Sequence, residues 1–286
     1  MKLAYRLLLG LVFVLTANAT SYLVSAQDPP YLRDRGTGVA TGQFGTYIKR
    51  GEIIIYPFFE HDRGNSFEYK PEELGFAGDT DFRGRYRATE KLLFLAYGLT
   101  ENLAIELETA WIHASLDKSP DDHSAVPARI EESGLGDVEA HLRWRWRNED
   151  EHRPEFFSFA EVVFPHNKEK KLIGTPGWEL GLGTGVTRGF KWGTLTLRGS
   201  VEYAGGSESK FDIGEYAIEY LKRVSPAWRF FVAIEGTQDE VSLITEAQWH
   251  LSRHIFVKLN NGFGLTSKAM DWAPEVGVVF TFPTRH

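Results

Sequence analysis

From Asp137 to Trp146 ionic and apolar side chains alternate without a break. Asp137, Glu139, His141, Arg143 and Arg145 share one parity, and Val138, Ala140, Leu142, Trp144 and Trp146 share the other. An extended chain sends successive side chains to opposite faces, so this stretch is a strand with one charged and one oily face. Long charged residues pointing into a dry core would each need a buried partner to offset desolvation. The oily face therefore meets either a second sheet, with the charges in solvent, or lipid, with the charges around a wet lumen. Other segments repeat the pattern. Leu195, Leu197, Val201 and Tyr203 oppose Thr194, Thr196, Arg198, Ser200 and Glu202, while Trp228, Phe230, Val232 and Ile234 oppose Arg229, Phe231, Ala233 and Glu235. Val241, Leu243, Ala247 and Trp249 oppose Ser242, Glu246, Gln248 and His250.

Twelve such segments are expected, at 52–60, 82–98, 102–113, 134–147, 155–164, 177–188, 192–204, 211–223, 227–236, 241–251, 254–263 and 272–282. Alternate joints, 99–101, 148–154, 189–191, 224–226 and 252–253, are short, whereas the others, 61–81, 114–133, 165–176, 205–210, 237–240 and 264–271, are longer on average. Short turns on one side and longer loops on the other mark an all-β, up-and-down antiparallel transmembrane barrel, with both termini on the periplasmic side. A soluble periplasmic sandwich is the competing architecture. In segment 82–98, Arg83, Arg85, Arg87 and Lys91 share parity with Leu93, Leu95 and Tyr97. Either a bulge flips the register or the arginine end projects beyond the hydrocarbon. Projection is the reading adopted, because a tilted membrane strand needs only about 9–11 residues. Trp146, Trp192, Trp228 and Trp249 fall near short turns, and Trp111, Trp178 and Trp272 near long loops, as two interfacial girdles would require.

The N-terminus agrees with export. Lys2 and Arg6 precede an apolar run over 7–15, followed by Ala17-Asn18-Ala19 and Val24-Ser25-Ala26. That order is a secretory signal over 1–26, cut after Ala19 or Ala26. Neither site precedes a cysteine, and the chain has none, so lipoprotein anchoring, disulfides and thiolate chemistry are excluded. Residues 27–50 lack apolar periodicity and are expected to be an extended periplasmic segment, with the barrel over 51–286. A formal net charge of −7 argues against nucleic acid as a partner.

Two motifs carry a family likeness: Ser133-Gly134-Leu135-Gly136-Asp137-Val138 opening a strand, and the tight turn Gly98-Leu99-Thr100-Glu101-Asn102-Leu103. On these the chain resembles a family of bacterial outer-membrane barrels named for the phenol meta-cleavage pathway, whose relatives are labelled transporters. The resemblance implies fold and outer-membrane location and leaves the substrate open.

The residues expected to line the lumen are Glu106, Glu108, Asp137, Glu139, His141, Arg143, Arg145, Glu179, Arg198, Glu202, Glu219, Arg229, Glu235, Glu246 and Lys258. Such a set either sorts permeants by charge or salt-bridges into a filling that closes a narrow barrel. Acids outnumber bases, so an open path favours cations or polar neutral solutes. The leading functional expectation is a passive pore or uptake channel for a small-molecule permeant, without enzymatic activity, cofactor or metal. The implied partners are outer-membrane lipids and the barrel-assembly machinery. A closed structural or surface-interaction barrel is the alternative. A third reading, a lipid hydrolase, rests on His113-Ala114-Ser115, with Glu131 or Glu132 reaching the histidine only by loop folding. The acidic loops, including Asp62, Glu73, Asp122 and Glu132, are read as solvated charge.

Overall fold

The computed structural model describes residues 29–205 and 211–284 of the 286. The signal peptide and its cut sites lie outside the described residues. A short 3-10 turn, Pro30–Leu32, leads to β1 (Val39–Ala40) and β2 (Tyr47–Ile48), which pair as a small antiparallel hairpin. Twelve longer strands follow. They are β3 (Glu52–Tyr69), β4 (Phe82–Gly98), β5 (Leu103–Asp117), β6 (Arg129–Arg147), β7 (Glu155–Phe164), β8 (Glu179–Phe190), β9 (Gly193–Ala204), β10 (Asp212–Arg223), β11 (Trp228–Gly236), β12 (Val241–His250), β13 (Ile255–Gly264) and β14 (Ala273–Pro283). Each pairs antiparallel with its chain neighbour, and β14 pairs with β3 to close the barrel. No described helix is long and apolar enough to cross a membrane.

The outward faces are oily. Leu107, Leu142, Trp144, Leu182, Val201, Ile218, Ile234 and Leu259 all stand about half exposed on the outer wall. A continuous belt of this kind exceeds what soluble monomers tolerate and fits hydrocarbon. At the short-turn rim Trp192 stacks on Phe190 and Tyr220, Trp228 on Trp249, and Trp146 on Phe156. At the opposite rim Trp178 packs edge-on against Phe164, and Trp111 and Trp272 are exposed. These indoles sit where a bilayer is half wet.

β3 to β6 run 15–19 residues, whereas β7 to β14 run 9–12, so one side of the wall stands taller. The sequence pattern stops β3 at residue 60, but pairing continues to Tyr69. A register shift between Gly64 and Phe67 resets the parity there, which hides the extension from a period-two reading. Tyr69, Leu74, Leu116 and Val126 form a separate apolar cluster under the loops above this wall. β4 keeps one parity throughout: Gly84, Ala88, Phe94 and Ala96 are buried and Arg83, Arg85 and Arg87 exposed, so the arginines project at the outer rim.

The N-terminal segment corrects an expectation. Residues 29–50 are not an extended periplasmic lead-in; they fold into the barrel interior. Val39 and Ile48 are buried with Ile54, Tyr56, Phe94, Ala96, Ala104 and Val279 of the wall. Phe44 stacks on Phe231, with ring centroids 5.1 Å apart. The sequence conceals this because the segment meets the wall through irregular backbone rather than through one periodic face. Two wall glycines receive it: a Cβ on Gly98 would collide with the Lys49 carbonyl, and one on Gly189 with the Tyr31 carbonyl.

Candidate functional site

The lumen divides into two levels. In the half nearer the short turns, wall charges hold the N-terminal segment. Glu106 Oε2 accepts the Gly42 N–H at 2.9 Å and Arg143 Nε at 3.3 Å. Gln43 Nε2 donates to Glu108 at 2.7 Å. Arg145 donates to the Gly38 and Glu101 carbonyls, both at 2.5 Å, and lies 3.4 Å from Glu155. Arg35 of the segment stands 3.0 Å from both Glu149 and Glu155, with all three side chains at most 1% exposed. Gln248 Nε2 reaches the Phe44 and Gly45 carbonyls and donates to Glu246, which pairs at 2.9 Å with Lys258. These are buried charges with partners, the condition under which burial is tolerated. A void of about 20 Å³ lies among the segment, Phe157, Thr196 and Glu219. At the level of Arg143 and Arg145 the segment is hydrogen-bonded to the wall through Gly42 and Gly38.

Above this floor opens a vestibule of about 370 Å³. Its base is Gly42, Gln43 and Phe44, and its wall carries Glu60, Asp62, Glu108, Glu139, Glu161, Glu215, Glu235, Glu240 and Glu275 against Arg143 and Arg198. Arg198 is engaged by three carboxylates: Glu219 at 2.7 Å, Glu215 at 2.5 Å, and Glu235. Arg143, already paired with Glu106, also lies over the Phe159 ring. The remaining acids bias the space toward negative charge, and a low-dielectric wall focuses such a field.

The other sequence-selected residues fall around these levels. Asp137 accepts the backbone N–H groups of His166 and Thr175, each at 2.7 Å, so it pins the 165–178 loop rather than standing free in a path. Glu179 lies two residues along β8 from Gly181, the partner of Glu202 on β9, so the two acids share one face at the long-loop ends of these strands. Arg229 sits at the short-turn end of β11, opposite Arg223 and Gln248 on the flanking strands. Arg35, Glu149 and Glu155 were missed by sequence reasoning. Glu155 had a legible signal, since it shares parity with Phe157, Phe159 and Glu161 along β7.

The acids expected to be solvated loop charge are engaged. Glu132, which belongs to β6, accepts from the Lys171 and Leu172 amides, Glu73 accepts from the Lys70 amide, and Lys268 bridges Glu73 and Asp239. Asp62 instead belongs to β3 and lines the vestibule. At the hydrolase candidate, strand pairing and not loop folding brings Glu131 opposite Ser115, with Glu131 3.8 Å from His113 Nε2. Ser115 is buried while His113 is exposed, and among the described residues no hydrogen bond joins them.

No protein-family model matches the chain, and no curated protein matches it. Solved structures do. An outer membrane channel from Pseudomonas putida F1 superposes with a TM-score of 0.60 at 17% identity, covering 85% of this chain and 100% of that one. The translocator domain of the autotransporter NalP from Neisseria meningitidis gives 0.52 at 11% identity, over 80% of this chain and 88% of that one. At these identities the likeness speaks for architecture, and with the oily belt it settles that architecture: the chain is a twelve-stranded barrel of the outer-membrane type.

Proposed function

We propose that the protein is a small-molecule channel of the bacterial outer membrane whose own N-terminal segment closes its periplasmic half. The observation that carries this reading is the vestibule of about 370 Å³, lined by nine carboxylates and two arginines and floored by Gly42 to Phe44. A purely structural barrel has no need of a wet, charge-biased chamber floored by its own N-terminal segment. The acid excess selects cations and polar neutral solutes, since fixed charges lining a pore sort permeants by sign. Passage requires the 29–50 segment to move. Membership of the family named for the phenol meta-cleavage pathway belongs to the same proposal. Both motifs behind it have structural work here: Gly98 admits the plug backbone, and Asp137 holds an outer loop. The similar Pseudomonas putida structure, described as an outer membrane channel, supports the reading.

The test is planar-bilayer recording of the folded full chain under a KCl gradient. The expected result is openings whose reversal potential favours K⁺ over Cl⁻. Folded protein that inserts without any openings makes it a closed structural barrel instead.

A further inference from the structure

One group of vestibule side chains has the composition of a metal site. Glu139 and His141 lie two residues apart on the inner face of β6, and Glu161 lies directly opposite His141 on β7. One donor atom from each residue can be chosen so that all three lie within 4.8 Å of one another. His141 Nδ1 is buried and has no hydrogen-bond partner. It faces Glu161 Oε2 at 3.7 Å, and Nε2 faces Glu139 Oε2 at 3.8 Å; both separations exceed hydrogen-bond length. The imidazole is thus flanked by two carboxylates and satisfied by neither. The cation nearest in sequence, Arg143, is occupied by Glu106.

We propose that Glu139, His141 and Glu161 bind one divalent first-row transition-metal ion, of which Zn²⁺ is the reference case, at the wall of the vestibule. Imidazole and carboxylate donors together suit such an ion, whereas Ca²⁺ and Mg²⁺ prefer all-oxygen shells. Donors at about 2.0–2.2 Å from a shared ion stand roughly 3.3–3.6 Å apart in a tetrahedral shell. Closing the observed spacing to that value takes rotation of two glutamate side chains within an open chamber. His141 binds through one nitrogen, and the vestibule water supplies the remaining position. Glu60, Glu108, Glu215 and Glu275 line the same chamber and raise the local cation concentration. The site is reached from the outer side above the plug, so it does not depend on whether the barrel conducts.

The experiment is calorimetric titration of the detergent-solubilised, folded full chain with ZnCl₂, followed by the visible spectrum of the Co²⁺ form. The expected result is one saturable equivalent. H141A and E161Q should each weaken it by roughly tenfold or more, about 1.4 kcal/mol. E240Q, which removes a vestibule acid outside the triad, should retain wild-type affinity within about threefold, under about 0.7 kcal/mol. E139Q gives a second ligand variant should either of the others fail to fold. Absence of binding, equal competition by Ca²⁺, or affinity indifferent to the triad variants overturns the proposal, the last two by reducing it to diffuse attraction to acids.

Discussion

The two levels of the lumen use the same kinds of side chain for opposite ends. Below, Arg35, Arg143, Arg145 and Lys258 each meet a carboxylate within 3.4 Å, and the space between is filled by the chain's own N-terminus. Above, carboxylates exceed cations and the space stays open. Inward charge in a barrel therefore has no single meaning. Where the counter-ion is supplied by the wall and the backbone by a plug, charge is structural. Where the counter-ion is missing, it is available to solutes.

Removing residues 29–50 should erase the difference between the levels and gives the largest effect. The truncated barrel should show persistent, large-conductance openings in bilayers where the full chain opens briefly. Next comes the clamp itself. Arg145→Ala withdraws the donor to Gly38 and leaves Glu155 less compensated, which for a buried pair costs about 3–5 kcal/mol. Denaturant unfolding in micelles should register most of that loss, and amide exchange of the 29–50 segment should quicken. Gly189→Ala should act in the same direction but more weakly, by about 1–3 kcal/mol, because its methyl meets the Tyr31 carbonyl and pushes the plug inward. If exchange in the plug stays unchanged in both variants, the lower level is not held as described.

The upper level answers to charge rather than packing. Glu275→Gln keeps an acceptor for the Tyr56 hydroxyl, so it should cost little stability while reducing cation over anion permeability, an effect that shrinks as salt screens the chamber. The smallest effect lies in the loops. Burial pushes the Asp122 carboxyl up, but hydrogen bonds from Ser124 and Tyr69 and the charge of Lys118 outweigh it and hold it below the usual carboxylate range. Its contribution is present above the unfolded-chain value near about 3.9 and fades as pH falls through the lower folded value. Exchange in the 118–128 loop should therefore rise only in strong acid, and Asp122→Asn should raise it at neutral pH.

Strand number, closure and the lipid face were legible because each rests on period-two alternation, which a strand imposes residue by residue. Val138 to Trp146 declares its outer face without any partner in view. The height of β3 escaped because the shift at Gly64 and Phe67 breaks that period. The plug escaped for a deeper reason. Its contacts, such as Gly42 with Glu106 and Arg35 with Glu149, join residues far apart in sequence through backbone amides and irregular turns, and no periodicity records them. The metal-ligating trio was hidden in the same way, since its third member lies on a neighbouring strand and makes no linear motif.

The account stands on the plug being the gate, and the absence of native cysteine permits a direct trial. Gln43 and Glu108 meet at 2.7 Å through the tips of two long side chains, so a Q43C/E108C pair can be tied by a short thiol-reactive cross-linker that carries an internal disulfide, and freed again on reduction. Single-channel current should vanish in the cross-linked barrel and return with reductant. Equal current in both states would mean that solutes pass by a route the N-terminal segment does not control.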